Sequence, residues 1–258
     1  MATVLVTGGT GTLGSRVAAR LVEWGHDVRV LSRQASPDVV EGATAVQGHI
    51  RTGDGLEGAV RGADVIVHAA SNPRWRANTT EVEGTRNLLR AVGDARPHLI
   101  YVSIVGVDRI PFFYYRAKWE AEQVVEAWPG PWTIQRATQF HSLLFEFMLP
   151  GRVLPWFPGM RSQLIDASEV ADRLVTQVDG EAQERAPDMG GPAVLTLRDA
   201  ADIHREVTGR KIRLVRVPRV GKAMRAFAEG HNLCPDHAVG TITFEDYLRW
   251  RHSTGSGH

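Results

Sequence analysis

Apolar positions along the chain follow two periods, and the two alternate. Thr3 to Val6 is a short β-branched run, and after a cluster of glycines Leu13, Val17 and Leu21 recur at helical spacing. Asp27 to Leu31, Ala43 to Gln47, Asp64 to Ala69 and His98 to Ser103 read as four further strands. Between the last two, Glu81 to Val92 carries Val82, Leu88, Leu89 and Val92 on a helical stripe. A helix over about Tyr114 to Ala127 buries Ala117, Ala121, Val124 and Val125, and Trp132 to Arg136 makes a sixth strand. Strands that alternate with helices imply parallel crossovers, so the expected fold class is α/β with a doubly wound parallel sheet.

The rhythm breaks beyond about Phe140, where Pro150, Pro155 and Pro158 with Gly151 and Gly159 punctuate an aromatic segment and predict irregular structure. Ala167 to Val178 resumes a helix. Ala193 to Leu197 and Arg213 to Val217 read as strands, with a helix over Asp199 to Val207 between them. Thr243 to Trp250 opens on Thr-x-x-Asp, an N-cap pattern. The expected organisation is a core over residues 1–140, a region over 141–251 that completes the same domain as a small C-terminal cap on the substrate side, and a disordered tail over 252–258.

Composition narrows the class by exclusion. The 258 residues are 43% hydrophobic and 23% charged, as in a folded globular protein. A formal net charge of +1 gives no field that would draw in nucleic acid or an anionic membrane. Val4 to Val6 is too short for a signal-peptide core or a membrane span, so the expected location is cytoplasmic. Cys234 is the only cysteine, which excludes an internal disulfide and a cysteine zinc site. The scattered histidines show no metal-ligand spacing. There is no Gly-x-Ser-x-Gly nucleophile turn, and the glycine cluster lacks the Gly-Lys-Ser/Thr ending of a phosphate loop. Nothing sets the oligomeric state.

The stretch Gly8-Gly9-Thr10-Gly11-Thr12-Leu13-Gly14 lies between a strand and a helix. Glycines there let backbone N–H groups approach a pyrophosphate, and the helix N-terminus adds partial positive charge. Dinucleotide binding by Gly8, Thr10, Gly11, Thr12, Leu13 and Gly14 follows. The second strand ends Leu31-Ser32-Arg33-Gln34, without the carboxylate that accepts ribose hydroxyls and repels a 2′-phosphate. Ser32 can donate to a phosphate and Arg33 can pair with it, helped by Arg16, so NADP(H) is expected over NAD(H). Ala69, Ala70 and Ser71, after the fourth strand, add further expected cofactor contacts. The small side chains of that last segment allow close backbone approach.

Ser103 ends the fifth strand, and Tyr114 and Lys118 share a helix face at i and i+4. A cation beside a phenol favours the phenolate, so such a tyrosine can serve as acid and base near neutrality. Lysine is scarce here: only Lys118, Lys211 and Lys222 occur, which makes a lysine at this position informative. Tyr115 has the wrong spacing to share the face of Lys118.

The segments TGGTGTLG, YVSIVGVDR and YYRAK, in this order and at these separations, resemble the short-chain dehydrogenase/reductase superfamily. More narrowly, with VEGTRNLL and WTIQRATQFH, they resemble its atypical NmrA-like, NAD(P)H-binding branch. The resemblance implies a Rossmann sheet of about seven strands and a nicotinamide cofactor. It also implies a catalytic group in which Ser103 orients the substrate oxygen, Tyr114 transfers the proton and Lys118 holds the nicotinamide ribose. By the same resemblance His49 is an expected cofactor contact, at a position where relatives commonly place an aspartate near the adenine. Substrate contacts are expected from Asn72, Trp75, Phe112, Phe113, Gln139, Phe140, His141 and Trp156, a set suited to a partly apolar molecule bearing a carbonyl or enone. The leading expectation is an NADPH-dependent oxidoreductase. A cofactor-ratio sensor without catalysis and a redox-neutral cyclase or isomerase remain open alternatives on the same fold.

Overall fold

The computed structural model describes residues 1–73, 77–148, 153–218 and 220–254, without the side chains of Phe147 and Met148. The chain folds as two compact units. The first comprises Met1–Ser103, Phe113–Gln135 and Ala167–Ala186; the second comprises Ile104–Phe112, Arg136–Asp166 and Pro187–His258.

The first unit is built on strands β1 (Thr3–Thr7), β2 (Asp27–Ser32), β3 (Thr44–Gln47), β4 (Val65–His68), β5 (His98–Ile104), β6 (Trp132–Ala137) and β9 (Glu184–Arg185). They form a seven-stranded sheet in the order β3-β2-β1-β4-β5-β6-β9. Helices α1 (Gly14–Glu23), α2 (Leu56–Val60), α3 (Ala77–Val92), α4 (Phe113–Glu126) and α6 (Ala167–Val178) flank it. Leu5, Leu31, Ile66, Leu99 and Ile134 from the sheet bury against Leu56 and Val60 of α2, Leu88 and Val92 of α3, and Ala121 and Val125 of α4. Helix α1 packs against α6. The sheet is the Rossmann arrangement expected from the alternating periods.

Strand order reverses between β1 and β4, which pair in parallel with Thr7 beside His68. At such a switch point the loops after the two strands diverge and leave a crevice at their carboxyl ends.

The second unit carries its own core, in which Phe145, Leu154, Leu164, Ala200, Phe244, Tyr247 and Leu248 are buried together. The segment expected to be irregular after Phe140 holds helix α5 (His141–Met148) and strands β7 (Val153–Trp156) and β8 (Arg161–Gln163). Pro150 and Gly151 lie outside the described residues. Strand β7 pairs in parallel with β11 (Arg213–Arg216), and β8 pairs antiparallel with β10 (Val194–Thr196). Each is a two-stranded ribbon, which tolerates Pro155 where a central strand would not. Helices α7 (Leu197–Thr208) and α9 (Phe244–Ser253) both start on a full capping box, at Thr196/Asp199 and at Thr243/Asp246. Helix α8 (Lys222–Glu229) separates them. Because α9 runs to Ser253, helix extends two residues into the segment expected as tail, and residues 255–258 lie outside the described residues.

Candidate active site

The glycine turn leaves β1 through Gly8, whose φ of +71° favours glycine. A Cβ on Gly8 would meet the Ala69 carbonyl oxygen and the Ala70 backbone at 2.7 Å, and one on Gly14 would run into the Gly8 carbonyl. The Gly11 amide closes the turn on the Gly8 carbonyl at 2.9 Å. No side chain caps the N-terminus of α1, and its first turn holds no acid. Uncapped amides behind a turn stripped of Cβ atoms fit a pyrophosphate, so Gly8 to Gly14 and the Ala69–Ala70 segment have the shape the expected cofactor needs.

Four neutral hydrogen bonds fix that segment. The Ala70 amide donates to Thr7 Oγ1 at 3.2 Å, and Thr7 Oγ1 lies 2.7 Å from His68 Nδ1. His68 Nε2 lies 3.1 Å from Thr85 Oγ1, whose proton goes to the Glu81 carbonyl. Only one polarity satisfies the chain: Thr7 donates to Nδ1, and the imidazole carries its proton on Nε2. Burial, with the Lys118 charge nearby, pushes the His68 pKa down to about 3, so this histidine stays neutral.

At the end of β2, Arg33 is exposed and Ser32 is half-buried, its Oγ accepting from the Gln34 amide at 3.2 Å. Arg16 turns back to donate to the Thr12 carbonyl. His49 follows β3, and its Nδ1 accepts the Arg51 and Thr52 amides, both at 3.2 Å, which makes it the cap of its own turn.

Strand β5 and helix α4 bring Ser103, Tyr114 and Lys118 to the same unit as the glycine turn. Ser103 is 2% exposed and its Oγ is a buried hydroxyl without a hydrogen-bond partner among the described residues. Such a group is costly unless a bound molecule completes it. Lys118 Nζ donates to the Val102 carbonyl at 2.9 Å and lies 3.0 Å from Glu81 Oε2. The ammonium also stands 4.7 Å from the centre of the Tyr101 ring. Burial opposes the Lys118 charge, but Glu81, followed by Tyr101 and Tyr114, holds it above its ordinary range.

Tyr114 is half-buried, with its hydroxyl 2.6 Å from Ser71 Oγ. Ser71 in turn donates to Glu81 Oε1 at 2.8 Å, and the Asn72 amide donates to the same oxygen at 2.9 Å. The Tyr114 hydroxyl is therefore the donor to Ser71. Burial raises Tyr114 above its ordinary value; Lys118 lowers it, as expected of a cation beside a phenol, and Glu81 opposes that lowering. Tyr115, by contrast, is buried.

Glu81 is the member the sequence reading passed over. It was available as a signal, because Glu81, Thr85, Leu88 and Val92 share the buried stripe of α3, and a carboxylate in that register needs a cation.

Of the residues expected to touch substrate, Asn72 and Phe113 belong to the first unit, Phe113 being 46% exposed at the start of α4. Phe112, Gln139, Phe140, His141 and Trp156 belong to the second unit. There Phe112 packs edge-on to Phe227, Phe140 bridges to Ile165, and Trp156 lies under the Arg198 guanidinium. His141 is 1% exposed, bonds the Ile242 carbonyl through Nε2 at 3.0 Å and stacks on Tyr247, as a core residue does. Trp75 lies outside the described residues. Among the described residues no group of three metal-ligating side chains forms, and no helix is long and apolar enough to cross a membrane.

Fold and site together define a nicotinamide-dinucleotide-binding α/β protein of the oxidoreductase type. The NAD(P)H-binding family model matches residues 8–142, and the chain belongs to that family, within the short-chain dehydrogenase/reductase superfamily. It is 30% identical over 228 residues to a (4-alkanoyl-5-oxo-2,5-dihydrofuran-3-yl)methyl phosphate reductase of Streptomyces griseus, covering 81% of this chain and 75% of that one. A 3-beta-hydroxysteroid dehydrogenase of Mycolicibacterium neoaurum is 38% identical over 101 residues, 34% of this chain and 28% of its own length. Among solved structures, a nucleoside-diphosphate-sugar epimerase of Staphylococcus aureus superposes with a TM-score of 0.78 at 16% identity, covering 96% of this chain and 99% of that one. At that identity the likeness is one of fold.

Proposed function

We propose that the protein is an NADPH-dependent reductase of a carbonyl or conjugated carbonyl group on a partly apolar small molecule. The observation that carries this reading is that Tyr114, Lys118 and the buried, unpartnered Ser103 hydroxyl all belong to the unit that holds the glycine turn. The S. griseus relative, a reductase by name, supports the direction of the chemistry.

NADPH, when bound, supplies the hydride. Gly8 to Gly14 bind its pyrophosphate, and Ser32 and Arg33 receive the 2′-phosphate. Lys118 donates one N–H to Val102 and is ion-paired with Glu81, and as a three-proton donor it holds the nicotinamide ribose. Ser103 donates to the substrate oxygen, a bond that tightens as negative charge develops there. Tyr114 gives its hydroxyl proton to that oxygen: the phenolic O–H bond breaks as the product O–H bond forms, and solvent water restores the proton.

Tyr114→Phe removes the proton together with the hydrogen bond to Ser71. Its turnover of carbonyl substrates should fall by at least ~10²-fold with NADPH affinity retained, the low end for loss of a general acid. The assay is NADPH oxidation against a panel of ketones, enones and quinones, with cofactor binding measured separately by fluorescence. Equal turnover by variant and wild type removes Tyr114 from the mechanism. Product formation without NADPH consumption would identify a redox-neutral catalyst instead.

A further inference from the structure

We propose that Glu81 sets the charge and geometry of this site: by holding Lys118 through one carboxylate oxygen and the Ser71 hydroxyl through the other, it keeps Tyr114 protonated to higher pH than Lys118 alone would allow. The inference rests on the reading of Tyr114 as the proton donor and names the residue that makes it one.

A lysine alone beside a tyrosine promotes ionisation of the phenol. Here that lysine is not alone. Lys118 and Glu81 form an ion pair 3.0 Å apart with side chains 4% and 0% exposed, so water screens neither and Glu81 opposes the field of Lys118 at Tyr114. The other titratable groups around them add no charge. Tyr101 on β5 is held neutral, since burial raises its phenol well above the usual range, and His68 on β4 is neutral in its hydrogen-bonded chain. Tyr115, beside Tyr114 on α4, is a buried phenol. Beside burial, the charges that act on Tyr114 are one cation and one anion, and the anion sits on α3.

Geometry acts in the same direction as charge. Glu81 Oε1 takes the only proton of Ser71, at 2.8 Å, so Ser71 presents a lone pair to Tyr114 across 2.6 Å. A protonated Tyr114 satisfies that lone pair. A phenolate would face it, and Ser71 could donate to that phenolate only by giving up its bond to Glu81. The Asn72 amide, bound to the same carboxylate oxygen at 2.9 Å, holds the carboxylate in the orientation that enforces this. Glu81 touches neither cofactor nor reacting atoms on this account, and is a positioning residue.

The test is a spectroscopic titration of phenolate absorbance near 295 nm on the whole cofactor-free protein, which contains only four tyrosines. The Tyr114 transition is the one missing from Tyr114→Phe. In Glu81→Gln that transition should move down by about one pH unit or more, the usual effect of an uncompensated neighbouring cation. The high-pH limb of reductive kcat/KM should move with it. Removing both charges in Glu81→Gln/Lys118→Met should raise the midpoint again from that of Glu81→Gln, because the cation that Glu81 opposes is then gone. Should Glu81→Gln alone not fold, Lys118→Met against the double variant carries the same test, with the higher midpoint in the variant that keeps Glu81. A midpoint unmoved or raised in Glu81→Gln, or equal midpoints in the second comparison, overturns the proposal. The two readings fail separately. Full turnover by Tyr114→Phe defeats the reductase, whereas an inactive Tyr114→Phe with an unmoved Glu81→Gln midpoint defeats only the role of Glu81.

Discussion

Arg33 stands at the end of β2, exposed and without an ion pair among the described residues, in the position where an acid would select for NAD(H). A guanidinium that gains a phosphate there makes charge-assisted bonds worth about 1.5–3 kcal/mol, or roughly tenfold and upward in affinity. Arg33→Ala should therefore weaken NADPH binding by at least about tenfold while leaving NADH nearly unchanged, as read by fluorescence titration of both cofactors. Equal losses for the two would place the 2′-phosphate elsewhere. At this scale the chain was legible where a residue type is unusual for its setting. Lys118 stood out because lysines are scarce, and Arg33 because no carboxylate replaces it. Glu81 did not stand out, because a carboxylate on a helix reads as solvated until the helix bearing its partner is known. Lys118 lies 37 residues away on α4, and no local spacing joins them. The ionisation of Tyr114 was hard to read for a similar reason: the sequence showed the cation that lowers it and concealed both the burial that raises it and the anion that opposes the cation.

Elements with a strong period were legible, and short ones were not. The stripe of α6 gave Ala167–Val178 to the residue. Helix α2 has five residues and strand β9 two exposed ones, too few for either period to repeat. Helix α5 was hidden by an apolar composition without a polar face and by the proline beyond it. Cap chemistry, by contrast, could be read directly. Thr243 accepts from the Asp246 amide at 3.1 Å, and Asp246 accepts from the Thr243 amide at 3.1 Å, so both ends of the box close. Thr243→Ala should cost about 1 kcal/mol, and for a chain of this length lower Tm by roughly 2–4 °C in a calorimetric scan. No change in Tm would mean that α9 starts elsewhere or contributes nothing to the cooperative transition.

At the scale of the whole molecule, a doubly wound parallel sheet with six of its seven strands followed from the alternating periods, and the resemblance implied the seventh, while the strand order did not follow. The order matters, because the reversal between β1 and β4 seats the Gly8 turn against Ala69 and Ala70. Two loops far apart in sequence become one cradle there, and β5 and α4 add Ser103, Tyr114 and Lys118 to the same unit. The second unit has a separate core, with short ribbons and capped helices whose periods were too brief to read as one body. The central claim is that the first unit binds NADP(H) with its nicotinamide beside Tyr114. A crystal structure of the protein soaked with millimolar NADP⁺ tests that claim most directly. The prediction is pyrophosphate density against Gly8 to Gly14, a 2′-phosphate at Ser32 and Arg33, and the nicotinamide ribose within hydrogen-bond reach of Lys118. No bound cofactor at that concentration, or a nicotinamide remote from Tyr114, would contradict it.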